Sequence, residues 1–105
     1  MIRIKVDKRQ GSYRAFESTG HAGFAPEGED IVCAAVSALL ITTFNGMEAY
    51  TEEEFTVKDS DGYIKAVFEG VNTPEGALLM DTLLLGLEQI KEQYPKYLKV
   101  QIREV

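Results

Sequence analysis

The sequence predicts an α+β fold: a two-layer sandwich of element order ββαββαβ, with two helices packed on one face of a single sheet. Three observations lead there. The stretch "IRIKV" at 2–6 alternates aliphatic and basic side chains with the period of a half-buried strand, and "KYLKVQIRE" near the C-terminus does the same. Two longer stretches, after Asp30 and after Thr73, carry Ala, Leu, Val and Met at helical spacing. One apolar sheet face and two apolar helix stripes within 105 residues bury each other most simply as two layers.

The elements follow in order. Ile2, Ile4 and Val6 form the inner face of a first strand, with Arg3 and Lys5 outside. Gly11 marks a turn, and "YRAFESTGH" reads as the second strand of a hairpin. Asp30 is placed as the N-cap of a first helix, with "NG" at 45–46 as a candidate break or end. "EFTVKDSDGYIKAVFEG" divides into two strands around an Asp-Gly turn. Thr73 as N-cap and Pro74 at the first helical position open a second helix that stops before Pro95. Leu98, Val100 and Ile102 then face inward on a fifth strand.

Length and the lack of a linker predict one domain over residues 1–105. Hydrophobic residues make up 45% of the chain and charged residues 27%, which excludes disordered and low-complexity classes. One cysteine cannot form an intramolecular disulfide or a cysteine-rich zinc cluster, so no metal and no cofactor is expected. A net charge of −6 argues against a general nucleic-acid binder and suits a basic partner. The N-terminus lacks signal-peptide character, and the apolar runs at 31–41 and 77–87 are short for a bilayer, so no membrane contact and a cytoplasmic location are expected.

The chemistry concentrates in "GHAGFAPEGEDIVCAAVSALL", residues 20–40, which holds the single histidine and the single cysteine. Cys33 falls three residues after the N-cap, in the first turn of the helix, where unpaired N–H groups and the positive end of the dipole favour an anion. Helix N-termini and imidazolium neighbours both favour thiolate over thiol. The intervening loop, with Gly20, Gly23 and Gly28 to ease its bend, is long enough to bring His21 back against Cys33. In the resulting dyad His21 takes the thiol proton, Cys33 attacks a carbonyl, and His21 protonates the departing amine. First-turn N–H groups, that of Cys33 among them, would hold the oxyanion. Asp30 serves as helix cap, as the carboxylate orienting His21, or as both. Ser37, one turn on, either hydrogen-bonds within the helix or contacts substrate. Phe24 either covers a bound peptide as part of a flexible loop or anchors that loop to the core. Against the dyad stands a plainer alternative, a buried cysteine acting as a small hydrophobe beside an unrelated surface histidine.

The segment "GHAGFAPEGEDIVCAAVSAL" closely resembles the signature of the bacterial ribosomal-processing cysteine protease family: Gly-His-Ala, then Gly-x-Asp-Ile-Val-Cys-Ala, then a Ser. The helix containing "LLMDTLLLGLEQI" and the element order extend the resemblance over the rest of the chain. It implies His21 and Cys33 as the catalytic dyad, with Asp30 and Ser37 in supporting positions. It also implies a cytoplasmic homodimer whose partner is the N-terminal extension of a large-subunit ribosomal protein, the twenty-seventh of that subunit, removed during ribosome maturation. A second function class, a non-catalytic ribosome-assembly or peptide-binding module, keeps the same cleft without hydrolysis. Ala34, Ala35 and Ala38 supply a small-residue surface on the first helix that a second protomer or the chain's own loops would cover.

Overall fold

The computed structural model describes residues 1–26 and 30–105. Its elements are β1 (Ile2–Arg9), β2 (Ser12–Thr19), α1 (Ile31–Tyr50), β3 (Phe55–Ser60), β4 (Tyr63–Phe68), α2 (Pro74–Gln93) and β5 (Leu98–Glu104). The five strands form one sheet in the order β3-β4-β2-β1-β5. All pairs are antiparallel except β1 with β5, which run parallel and align Ile2 with Leu98 and Ile4 with Val100.

The registers put the apolar side chains on one face. Val6 pairs with Phe16, Phe16 with Ala66, and Ile4 with Ser18, so successive strands present their inward residues side by side. Ile4, Val6, Phe16, Ala66 and Leu98 are all essentially inaccessible to solvent. Both helices lie over this face. α1 contributes Val32, Val36, Leu40, Phe44 and Met47, and α2 contributes Gly76, Met80, Leu83 and Leu87, each row following helical spacing. The opposite face of the sheet has no covering layer among the described elements.

Two expectations change. Helix α1 does not break at Asn45-Gly46 but runs on to Tyr50. A helical Gly costs about 1 kcal/mol relative to Ala, whereas burying Phe44 and Met47 on either side of it returns roughly 1.5–3 kcal/mol each. Phe44 packs edge-on to Phe16 with ring centroids 5.6 Å apart. Consequently α1 is longer than the 31–41 run: at 20 residues and a mean hydropathy of 1.6 it meets the length and composition of a membrane span. Its buried row packs into the core instead.

The end of β2 and the start of β1 set the entry to the site. Thr19 pairs with Arg3 on one side and with Tyr63 on the other. Gly20 follows at φ +91°, donates its N–H to the Gly62 carbonyl at 2.8 Å, and lies against the Met1 carbonyl so closely that a Cβ would overlap it. Only glycine satisfies both the dihedral and the approach.

Candidate active site

Gly20 turns the chain out of the sheet, which places His21 two residues beyond β2 on the rim beside the β3–β4 turn. The ring lies against Gly62: a Cβ there would come within 2.9 Å of His21 Nε2. Gly62 itself has φ +68°, so the two-residue turn Asp61-Gly62 both needs glycine and supplies the bare backbone on which the imidazole rests. Asp61 Oδ1 is 3.7 Å from His21 Nε2, an ion-pair separation on an exposed rim.

Cys33 sits in the first turn of α1, half-buried, as the sequence predicts. Its Sγ accepts a hydrogen bond from the Ala22 N–H at 3.1 Å. Ala22 is buried in the core, so this donor is held in place. A fixed N–H is thus aimed at the sulfur beside the helix N-terminus. His21 and Cys33 line one cavity of about 460 Å³ together with Gly23, Asp30, Ala34 and Ser37. A second cavity of about 270 Å³ also reaches both residues and runs on past Ile41 toward Asp59 and Asp61. The two side chains thus flank a continuous depression; among the described residues no hydrogen bond joins them directly.

Asp30 is the N-cap, with extended φ −80° and ψ 99°. Its Oδ1 accepts from Val32 N–H and Cys33 N–H at 3.0 Å each, and its Oδ2 accepts from Phe24 N–H at 3.1 Å. Partial desolvation pushes the carboxyl upward, but hydrogen bonds from the Cys33 N–H, the Phe24 N–H, the Cys33 side chain and the Val32 N–H outweigh it and hold Asp30 below the usual carboxylate range. Both oxygens accept from backbone N–H groups, and the carboxylate within ion-pair distance of His21 is that of Asp61. The same bonds correct the expected oxyanion site: the Val32 and Cys33 N–H groups are occupied by the cap, and the Ala34 N–H by the Asp30 carbonyl. The backbone donor left at the sulfur is that of Ala22.

Ser37 is exposed and lines both cavities one turn beyond Cys33. The Phe24 ring packs edge-on to Tyr94 and Tyr97, with centroids 5.5 and 5.2 Å away, and stays 40% exposed. Gly23 lies at φ +75° in the loop wall. Gly28 lies outside the described residues. Sequence reasoning missed Asp61 and Ala22. Asp61 was legible only as a hairpin turn, and nothing local says that a turn forty residues downstream meets the histidine; Ala22 acts through its backbone, which carries no side-chain signal.

The model of a family described as cysteine protease Prp matches residues 1–99. The chain belongs to the cysteine protease Prp family. It is 33% identical over 92 residues to the ribosomal processing cysteine protease Prp of Bacillus subtilis, covering 82% of each chain. Its fold superposes with a TM-score of 0.94 on the essential ribosomal processing protease Prp of S. aureus solved with a covalently linked product peptide, at 27% identity over 98% of this chain and all of the other. The S. aureus protease in complex with a substrate peptide gives a TM-score of 0.88 at 25% identity, with the same coverage. Strand order and helix placement are therefore those of Prp structures.

Proposed function

We propose that this chain is a cysteine endopeptidase of ribosome maturation that removes a short N-terminal extension from a large-subunit ribosomal protein, with Cys33 as nucleophile and His21 as general base and acid. The observation that carries this reading is Cys33 Sγ at the N-terminus of α1, held by the Ala22 N–H in a cavity that His21 also lines.

The steps use these groups in sequence. His21 accepts the Cys33 proton, and the thiolate adds to the scissile carbonyl carbon to give a tetrahedral oxyanion. The Ala22 N–H, 3.1 Å from the sulfur, is placed to pass from the thiolate to that oxygen as the sulfur loses its charge. Collapse breaks the C–N bond, with the His21 proton going to the departing amine. Water, deprotonated by His21, then releases the peptide acid and restores the thiol. Asp61, at ion-pair distance from the imidazole edge facing it, favours one ring orientation through its charge, while Asp30 holds the helix terminus and the Phe24 backbone. The outward stripe of α1, with Ile31 and Ile41 more than half exposed beside Ala34 and Ala38, suits a homodimer contact.

Incubating the protein with the host's own ribosomal protein and measuring intact masses tests the reading. Loss of a single N-terminal segment supports it. An uncut protein that nevertheless binds would assign the cleft to a non-catalytic assembly module.

A further inference from the structure

The net charge of −6 conceals a segregation of charge. The strand registers place Arg3, Lys5, Lys58, Lys65, Lys99 and Arg103 on the uncovered face of the sheet, against two carboxylates, Asp7 and Glu17. These eight residues sum to a formal +4 on a chain whose net charge is −6.

Glu17 stands between Lys5 and Lys65 at the middle of the face, but the pairing on either side of it is unfavourable. Arg3 stands directly opposite Lys99, and Lys58 directly opposite Lys65. Like charges in cross-strand register destabilise the strands that carry them. Arg103 is held by Asp7 in a two-bond pair, at 2.8 and 3.2 Å. Among the described residues, none of the other five cations has a carboxylate within ion-pair distance. At the β1–β5 end, a cleft of about 410 Å³ is lined by Arg3, Lys5 and Lys99 together with Lys91 of α2, and by no carboxylate.

We propose that this open sheet face docks on the phosphate backbone of RNA. The cations reach from β3 to β5, about 19 Å across at the usual strand spacing, so they present a flat positive field and not a point site. A polyanion relieves both like-charge pairs at once, and phosphate contacts of this kind need no base recognition. A lipid surface fits less well, because membrane-seated faces combine their cations with an apolar wedge. Here the exposed aliphatic stripe of α1 belongs to the other layer. The choice of RNA over other polyanions rests on the ribosomal substrate reading; the existence of the basic face does not. Docking by the sheet would leave the cleft at Cys33, bordered by α1 and the β3–β4 turn, open to a protein chain emerging beside the RNA.

Fluorescence anisotropy with a labelled 20-nucleotide RNA and the Cys33→Ala protein tests this without requiring protease activity. Binding is expected to weaken with salt along a log–log slope of about −3, as for some four displaced phosphates on a single strand. The double variant Lys5→Glu/Lys99→Glu should lose at least tenfold in affinity, and Lys5→Gln/Lys99→Gln several-fold, both with circular dichroism unchanged. Lys96→Glu, off the face, should stay within twofold. Absent binding at 50 mM salt, equal loss from Lys96→Glu, or binding to phosphatidylserine–phosphatidylcholine vesicles but not RNA would each overturn the proposal. Cleavage of the ribosomal protein with no RNA binding would defeat this inference alone; RNA binding without cleavage would defeat the protease reading alone.

Discussion

His21 Nε2 lies 3.7 Å from Asp61 Oδ1, while Asp30, adjacent in the motif, spends both carboxylate oxygens on backbone N–H groups. Asp30 builds the terminus of α1 on which the sulfur sits, and Asp61 faces the ring.

Asp61→Asn separates charge from turn geometry, because Asn-Gly suits a two-residue hairpin as well as Asp-Gly does. The carboxylate is 88% exposed, so its effect is moderate. kcat should fall by about three- to tenfold with KM and melting temperature unchanged, and Asp61→Glu should recover part of the loss. An unchanged kcat in Asp61→Asn would remove this residue from the mechanism.

Asp30→Ala should cost about 1 kcal/mol, and Asp30→Asn only part of that, since Asn still caps the helix but carries no charge. Hydrogen bonds hold the folded carboxyl below its ordinary range, so the unfolded chain binds the proton more tightly. The stabilisation is therefore fully present above the ordinary carboxylate range and disappears as pH falls below about 4 through the folded value. Urea melts of wild type and Asp30→Ala between pH 6 and pH 2 should converge at the acid end; a constant gap would mean that the charge does not contribute.

Gly62→Ala puts a methyl within 2.9 Å of the imidazole at a backbone φ of +68°. Displacement of His21 should lower kcat by at least tenfold, more than any loss of stability explains. Gly20→Ala, which collides with the Met1 carbonyl, should instead destabilise the whole fold by about 2 kcal/mol or more. Thermal melts and kinetics on the same preparations distinguish the two, and a Gly62→Ala enzyme of normal activity would show that the ring does not depend on this contact.

Much of this architecture was legible because alternation in "IRIKV" and "KYLKVQIRE" and the helical stripes are local patterns tied directly to burial. The extension of α1 past Asn45-Gly46 was not, because the burial of Phe44 and Met47 against the sheet is a tertiary gain that overrides a local break signal. Asp30 as the N-cap and Cys33 in the first turn of α1 were legible from the cap residue and its spacing, and His21 as a residue just beyond the second strand. The role of Asp61 depends on β4 pairing with β2, which brings a distant turn to the rim of the site. The basic sheet face was hidden for a related reason: net charge averages over a molecule, and only the register shows that lysines and arginines share one side.

The central claim is that the Cys33 sulfur attacks the scissile bond. Its most direct test is the single-turnover cleavage rate of the host ribosomal protein by Cys33→Ala, followed by intact mass beside wild type and with folding confirmed by circular dichroism. Loss of the thiol should reduce the rate by at least a thousandfold while the variant still binds the uncut protein. Cleavage by Cys33→Ala within tenfold of the wild-type rate would contradict the account.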